Sequence, residues 1–318
     1  MDFVYYSGEE ALQVFGSFVS GSGKQWSKVI CLCDTNTNTL CKPVLESCGV
    51  RIDRTIVIGA GERHKDLHTL STVWHELLLS GADRNSLLIN LGGGVVTDLG
   101  GMAASTFMRG ISFVNIPTTL LCMVDASIGG KTGIDFGGAK NIAGTFALPE
   151  LTVSHFPFLD TLPDQEWKNG FAEMIKHQLV GDAIAWEETT GFFSGNPFHA
   201  EVKDFFRQRI PASAAIKFGI VQKDPLEKNI RACLNFGHTI GHGMEAWSLD
   251  HEGEPIQHGE AVAAGTKEEQ DVNRKKVRGE KPGRRSNMTV ACKGLGFVLL
   301  WLDQLHLDLF SFFLTQAF

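Results

Sequence analysis

Four short apolar runs, each closed by a glycine, an aspartate or a Pro-Thr-Thr turn, constrain this chain more than anything else in it. They are KVICLCD at 28–34, RTIVIGAG at 54–61, SLLINLGGG at 86–94 and ISFVNIPTT at 111–119. Runs of this length and composition predict buried strands. Between the second and third, Leu67, Leu70, Val73, Trp74, Leu77 and Leu78 recur at helical spacing within 64–80. Strands alternating with helices predict an α/β fold with a parallel sheet, whose ligands bind beyond the carboxyl ends of the strands.

From about Thr161 the strands vanish and long amphipathic helical stretches take over, with Pro163 placed for a first helical turn. A chain of 318 residues also exceeds the size at which a single core usually keeps growing. The expectation is therefore an α/β domain over 1–160 and an all-α domain over 161–318. Hydrophobic content of 43% and charged content of 20% fit a globular protein. A net charge of -7 argues against nucleic acid and anionic membranes as partners, since both are held by clustered excess basic charge. Seven cysteines without repeated spacing read as reduced thiols, and Cys31 and Cys33 as packing residues. No basic flank followed by an apolar run opens the chain, so a cytoplasmic location is expected. The apolar run GLGFVLLWL at 294–302 is too short to span a bilayer.

Three segments carry chemistry. GGGVVTDLGG at 92–101 follows a strand and opens a helix, where backbone amides and the helix dipole suit the phosphates of a nucleotide. A tight strand-to-helix turn is the plain alternative. Asp34 and Asn36 end the first clear strand, where an acidic side chain can accept from ribose hydroxyls. DASIGGKTGIDFGGAKN at 125–141 reads as a functional loop, with Asp125, Lys131, Lys140 and Asn141 among five glycines that let the backbone approach an anion. The third segment is discontinuous: AEMIKH at 172–177, HTIGH at 238–242 and HGE at 258–260. Histidines four apart share a helix face, and two histidines with a carboxylate leave an open position on a catalytic divalent metal. HTIGH lacks the glutamate of a metalloprotease motif.

Taken in order with their spacing, GGGVVTDLGG, FMRG, IPTTLL, DASIGGKTGID, AKNIAGTF, TLP, GFAEMIKH, RACLNFGHTIGH and HGEAVAAG resemble the 3-dehydroquinate synthase family over about residues 30–265. The resemblance implies a Rossmann-like N-terminal domain, a helical metal-binding C-terminal domain and a homodimer. It also implies NAD, a divalent metal (zinc, or cobalt) and conversion of 3-deoxy-D-arabino-heptulosonate 7-phosphate to 3-dehydroquinate and phosphate.

Matched position by position, the resemblance makes Glu173, His238 and His258 the metal ligands. Lys131, Asn141 and His242 match residues that hold the substrate phosphate, with Arg109 reaching across from the other subunit. Lys217 and Arg231 match the pair that holds the substrate carboxylate, and Asn235, Lys176 and Asp125 match residues around the reacting ring hydroxyls. Asp34, Asn36, Glu62, Lys65, Gly93, Gly94, Val95, Asp98, Thr118, Thr119 and Lys140 match NAD contacts.

Ala139 departs from a family glycine, and His155 from a family aspartate. After Gly265 the text leaves the family's pattern: residues 267–285 hold eight Lys or Arg and four Asp or Glu with little apolar periodicity, which predicts a poorly packed segment. The atypical stretch 266–318 is expected to lack a phosphate-binding lysine and to leave turnover weak. The alternatives to an active synthase are a catalytically impaired relic that keeps NAD and metal sites and a related sugar-phosphate cyclase.

Overall fold

The computed structural model describes residues 4–21, 23–193, 200–249 and 256–277. They divide into two compact units between Pro163 and Asp164. The first unit holds eight strands: β1 (Tyr5–Gly8), β2 (Val29–Asp34), β3 (Arg54–Ile58), β4 (Leu87–Gly92), β5 (Ser112–Pro117), β6 (Lys131–Phe136), β7 (Ala139–Phe146) and β8 (Leu151–His155). Its helices are α1 (Ala11–Gly21), α2 (Thr35–Leu40), α3 (Lys42–Glu46), α4 (Leu67–Leu79) and α5 (Gly94–Thr106).

Six strands form one sheet in the order β1-β8-β5-β4-β2-β3, every neighbour parallel. β2 and β4 are buried along almost their whole length, which explains their unbroken apolar runs. Ile30, Leu32 and Leu88 pack with Leu70, Val73 and Leu77 of α4 and with Val96 and Leu99 of α5, all fully buried. From β2 the chain moves to β3 on one side and then to β4, β5 and β8 on the other. The topological switch point therefore lies between β2 and β4, where open parallel sheets leave a crevice for ligands.

The segment 125–141 is not the loop its composition suggests. Cys122–Ala126 form a single π-helical turn, and β6 and β7 pair antiparallel as a hairpin. Gly137 and Gly138 close it with φ of 61° and 82°, the left-handed pair that a two-residue hairpin turn needs.

The second unit contains α6 (Asp164–Gly181), α7 (Ala183–Phe193), α8 (Ala200–Arg207), α9 (Ile210–Lys223), α10 (His238–Leu249) and α11 (His258–Val277). Trp167 and every residue from Asn169 to Leu179 are buried, so α6 is enclosed on all sides as the central helix of this unit. α10 and α11 meet along glycines. A side chain on Gly241 would reach within 2.9 Å of the Ala261 carbonyl oxygen, and one on Gly265 would strike that of Gly237.

α11 continues to Val277, through the first part of the charged stretch expected to pack poorly. Its Lys, Glu and Gln are good helix formers, and Glu269 turns inward to the Gly237 amide, so helical structure here does not depend on an apolar stripe. The rest of the tail, including 294–302, lies outside the described residues. Among those described, no helix is long and apolar enough to cross a membrane.

Candidate active site

Three helices of the second unit bring Glu173, His238 and His258 together. Glu173, fully buried on α6, holds Oε1 at 3.5 Å from His238 Nε2 and 3.4 Å from His258 Nε2. One ligand atom from each residue lies within 4.8 Å of the others. Metal–ligand bonds of about 2.0–2.1 Å at tetrahedral corners separate the ligand atoms by about 3.4 Å, so this spacing fits a zinc-sized ion. The donor set, two neutral imidazoles and one carboxylate, is that of a catalytic centre with a position left open.

Tautomer geometry agrees. His238 Nδ1 stands 3.3 Å from the Phe236 carbonyl oxygen, and a proton held there leaves the Nε2 lone pair for a metal. Lys176, one turn along α6 and almost fully buried, pairs with Glu173 Oε2. His258 feels opposed influences: burial pushes its imidazole down, but Glu173 and Glu245 outweigh that and raise it to about 9. His242 lies beside the cluster, its ring centroid 5.2 Å from that of His238, and is more than half exposed.

Close by in sequence, Arg231 is buried, donates from Nη1 to the Pro225 carbonyl at 2.7 Å, and has its Nε 3.8 Å from Glu227. Asn235 donates to the same Glu227 carboxylate at 2.7 Å. Lys217 is buried on α9. Glu227 and Glu245 both escaped the sequence reading. Glu245 left a usable signal, since it follows His238 by seven residues on one face of α10, whereas Glu227 occupies a turn with φ of 54° that no periodicity marks.

In the first unit, Asp34 ends β2 and caps α2, with Oδ1 accepting from the amides of Asn36 at 2.9 Å and Thr37 at 2.8 Å. Its carboxylate thus has a structural task beside any ligand. Gly93 is the N-cap of α5, with Gly94 and Val95 opening the helix; a side chain on Gly93 would come within 3.1 Å of Thr119. Thr118 donates its amide to the Gly92 carbonyl at 3.0 Å, so the ends of β4 and β5 are tied together. Lys65 is buried with its Nζ 2.9 Å from Glu62, 3.5 Å from Asp98 and 4.0 Å from Asp135. Burial works against its charge, but Asp98, Glu62 and Asp135 together raise its affinity for the proton.

Asp135, a third residue the sequence reading missed, also accepts from the amide of Asn141 at 2.8 Å and donates its own amide to the Lys65 carbonyl at 2.7 Å. It links the hairpin to the Lys65 cluster. Lys131 opens β6, Lys140 and Asn141 lie on the exposed strand β7, and Asp125 belongs to the π-helical turn. Arg109 follows α5 with φ of 69°, directly after Met108 at 51°.

Residues 55–169 match the 3-dehydroquinate synthase N-terminal family and residues 170–303 the 3-dehydroquinate synthase C-terminal family. The chain is 43% identical over 245 residues to 3-dehydroquinate synthase of Parabacteroides distasonis, covering 77% of this chain and 68% of that one. It is 40% identical over 264 residues to the enzyme of Bacillus cytotoxicus, covering 82% and 69%. Among solved structures, it resembles a 2-epi-5-epi-valiolone synthase from Streptomyces hygroscopicus with NAD+ and Zn2+ bound, with a TM-score of 0.73, 26% identity, and 100% and 86% of the two chains covered. A 2-deoxy-scyllo-inosose synthase complexed with carbaglucose-6-phosphate, NAD+ and Co2+ shares the fold, with a TM-score of 0.70 at 24% identity over 85% and 74% of the chains. The chain belongs to the 3-dehydroquinate synthase family.

Proposed function

We propose that this chain is a 3-dehydroquinate synthase that converts 3-deoxy-D-arabino-heptulosonate 7-phosphate to 3-dehydroquinate and phosphate. The observation that carries this reading is the Glu173, His238 and His258 cluster, with ligand spacing suited to zinc or cobalt in a chain of this family. When bound, NAD supplies a hydride acceptor that is regenerated each cycle, and the metal a Lewis acid for a ring hydroxyl.

The residues of the helical unit fix the acid end and the ring of the substrate. Lys217 and Arg231 hold its carboxylate, a task suited to a guanidinium beside an ammonium, and the Glu227 and Pro225 contacts keep Arg231 in one orientation. Asn235, braced by Glu227, and Lys176, held against Glu173, orient ring hydroxyls, as Asp125 does from the α/β unit. Lys131, Asn141 and His242 bind the phosphate. As it leaves, the phosphate takes the proton from the carbon adjacent to the one that bears it, so that C–H and C–O bonds on neighbouring carbons break and a C=C bond forms between them. The protein's share of the elimination is therefore geometry and charge rather than a dedicated base.

On the α/β unit, the α5 N-terminus at Gly93, Gly94 and Val95 receives the NAD pyrophosphate. Asp34 and Asn36 take ribose hydroxyls, while Glu62, Lys65, Asp98, Thr118, Thr119 and Lys140 complete the cofactor contacts. The switch point between β2 and β4 supports this placement. The active form is a homodimer in which Arg109 serves the neighbour's phosphate site. Two successive non-glycine residues at positive φ cost about 1–3 kcal/mol each, which supports a loop shaped for that reach. The six described cysteines are free thiols, as suits the cytoplasm.

The test is phosphate release from the heptulosonate phosphate by the purified chain, with and without NAD and zinc. Release should require both additives and should be lost in His238→Ala and His258→Ala together with zinc retention. Gly94→Leu should keep the fold, because the first atom added there makes only ordinary contact with Ala126 at 3.5 Å, but weaken NAD binding by calorimetry. Zinc content equal in wild type and both histidine variants would overturn the ligand assignment, and unchanged NAD affinity in Gly94→Leu the cofactor placement.

A further inference from the structure

We infer that Glu245 is a positioning residue for the metal: its buried carboxylate accepts the Nδ1 proton of His258 and so holds that imidazole in the tautomer and orientation that present Nε2 to the ion. The inference rests on the metal reading above and extends it to a residue outside the ligand set. The His258 ring is gripped on both sides. Nε2 stands 3.4 Å from Glu173 Oε1, and Nδ1 stands 3.4 Å from Glu245 Oε1.

A neutral imidazole carries one N–H and one lone pair. A metal at Nε2 therefore requires the proton on Nδ1, where the atom facing it is a carboxylate oxygen. His238 satisfies the same requirement locally, through the Phe236 carbonyl. His258 begins its helix, and its Nδ1 is met instead by a side chain from α10.

Glu245 is only 3% exposed, so its charge acts on the ring with little screening by water. Its other oxygen, Oε2, lies 3.9 Å from His242 Nε2. His238, His242 and Glu245 follow one another at four and three residues, so α10 presents all three on one face. A carboxylate behind a metal-bound histidine fixes the ring and raises its basicity, and removing such a partner typically weakens metal binding about 10–100-fold.

The experiment measures zinc affinity of the full chain by competition with a chromophoric chelator, in wild type and in Glu245→Ala, Glu245→Gln and His258→Ala. Glu245→Ala should weaken zinc about 100-fold. Glu245→Gln, which keeps an acceptor oxygen but not the charge, should weaken it about tenfold, near the lower end of the same range. The visible absorption of the cobalt-loaded protein should shift in both, a signature that loss of packing alone would not produce. Should Glu245→Ala fail to fold, the near-isosteric Gln variant carries the test. Wild-type zinc affinity and cobalt absorption in Glu245→Gln, with affinity lost in His258→Ala, would overturn the role of Glu245 and leave the metal site standing. Wild-type affinity in His258→Ala would instead remove the metal reading itself.

Discussion

Glu269 is 5% exposed against the backbone of Gly237, with Oε2 accepting from that residue's amide at 3.0 Å and Oε1 buried without a hydrogen bond among the described residues. Burial raises its carboxyl above the usual glutamate range, and the Gly237 amide offsets only part of that. An acid whose folded pKa lies above its unfolded value contributes stability at low pH. That contribution is lost as pH rises through the folded value, so Glu269 costs the fold most at neutral pH and above. Glutamine in its place keeps an acceptor for the Gly237 amide and removes the buried charge, at the smaller cost of a buried amide. Glu269→Gln should therefore raise the thermal midpoint at pH 8 and leave it unchanged or lower at pH 4. Equal shifts at the two pH values would show that ionisation is not the cause. No sequence pattern announces this residue, because it sits in a run of charges that reads as solvated surface and is buried only by the local approach of α10 to α11.

At the scale of elements, that approach assembles the metal cluster. His238 stands at the start of α10 and His258 at the start of α11, and the two helices close on Gly237, Gly241 and Gly265. Any side chain at Gly265 meets the backbone at Gly237 and Gly241, which cannot swing away as a side-chain tip could. Gly265→Ala should cost about 1–3 kcal/mol by overpacking and weaken zinc binding with it, as the helices separate. Denaturant unfolding and zinc competition would measure the two, and full zinc affinity in a destabilised Gly265→Ala would detach the cluster from this contact.

The four strands of the parallel core, α4 and the one-faced histidine pair were legible because burial imposes period and composition on them. The β6–β7 hairpin was not. Its glycines signal a loop unless Gly137 and Gly138 are read as the turn itself, and its strands are exposed along much of their length. β1 and β8 escaped because their sequences, YYSG and LTVSH, carry few apolar residues: β8 is buried along its whole length, yet three of its five residues are Thr152, Ser154 and His155. Glu227 and Asp135 act through a few specific polar contacts, which leave no periodic trace.

For the whole molecule, the hairpin raises the question of what its outer face meets. Phe136, Ile142 and Phe146 are each more than half exposed, with Met108 nearly as open beside Arg109. On β7 the outward Ile142 and Phe146 alternate with the more covered Ala143 and Thr145, and Thr145 contacts Ser105 of α5, the helix that leads to Arg109. The same face carries Lys131, paired with Phe146, and Lys140, two residues before Ile142, and a second copy of the chain would cover the apolar side chains that stand open between these cations. Burying each large side chain contributes about 1.5–3 kcal/mol. A two-fold interface counts each contribution in both copies. Phe136→Asp with Ile142→Asp should therefore yield a monomer by analytical ultracentrifugation, with zinc binding retained and turnover lost. Shared sites make a sharper demand. In the proposed homodimer an Arg109→Ala chain would lack the residue it lends and a Lys131→Ala chain one it keeps, so each variant alone should be inactive. In a mixed dimer one site carries both defects and the other carries neither. Random reassortment of equal amounts should then restore about a quarter of wild-type turnover. Recovery at that level requires Arg109 to act on the neighbour's substrate, and absence of recovery in verified mixed dimers would return Arg109 to its own subunit.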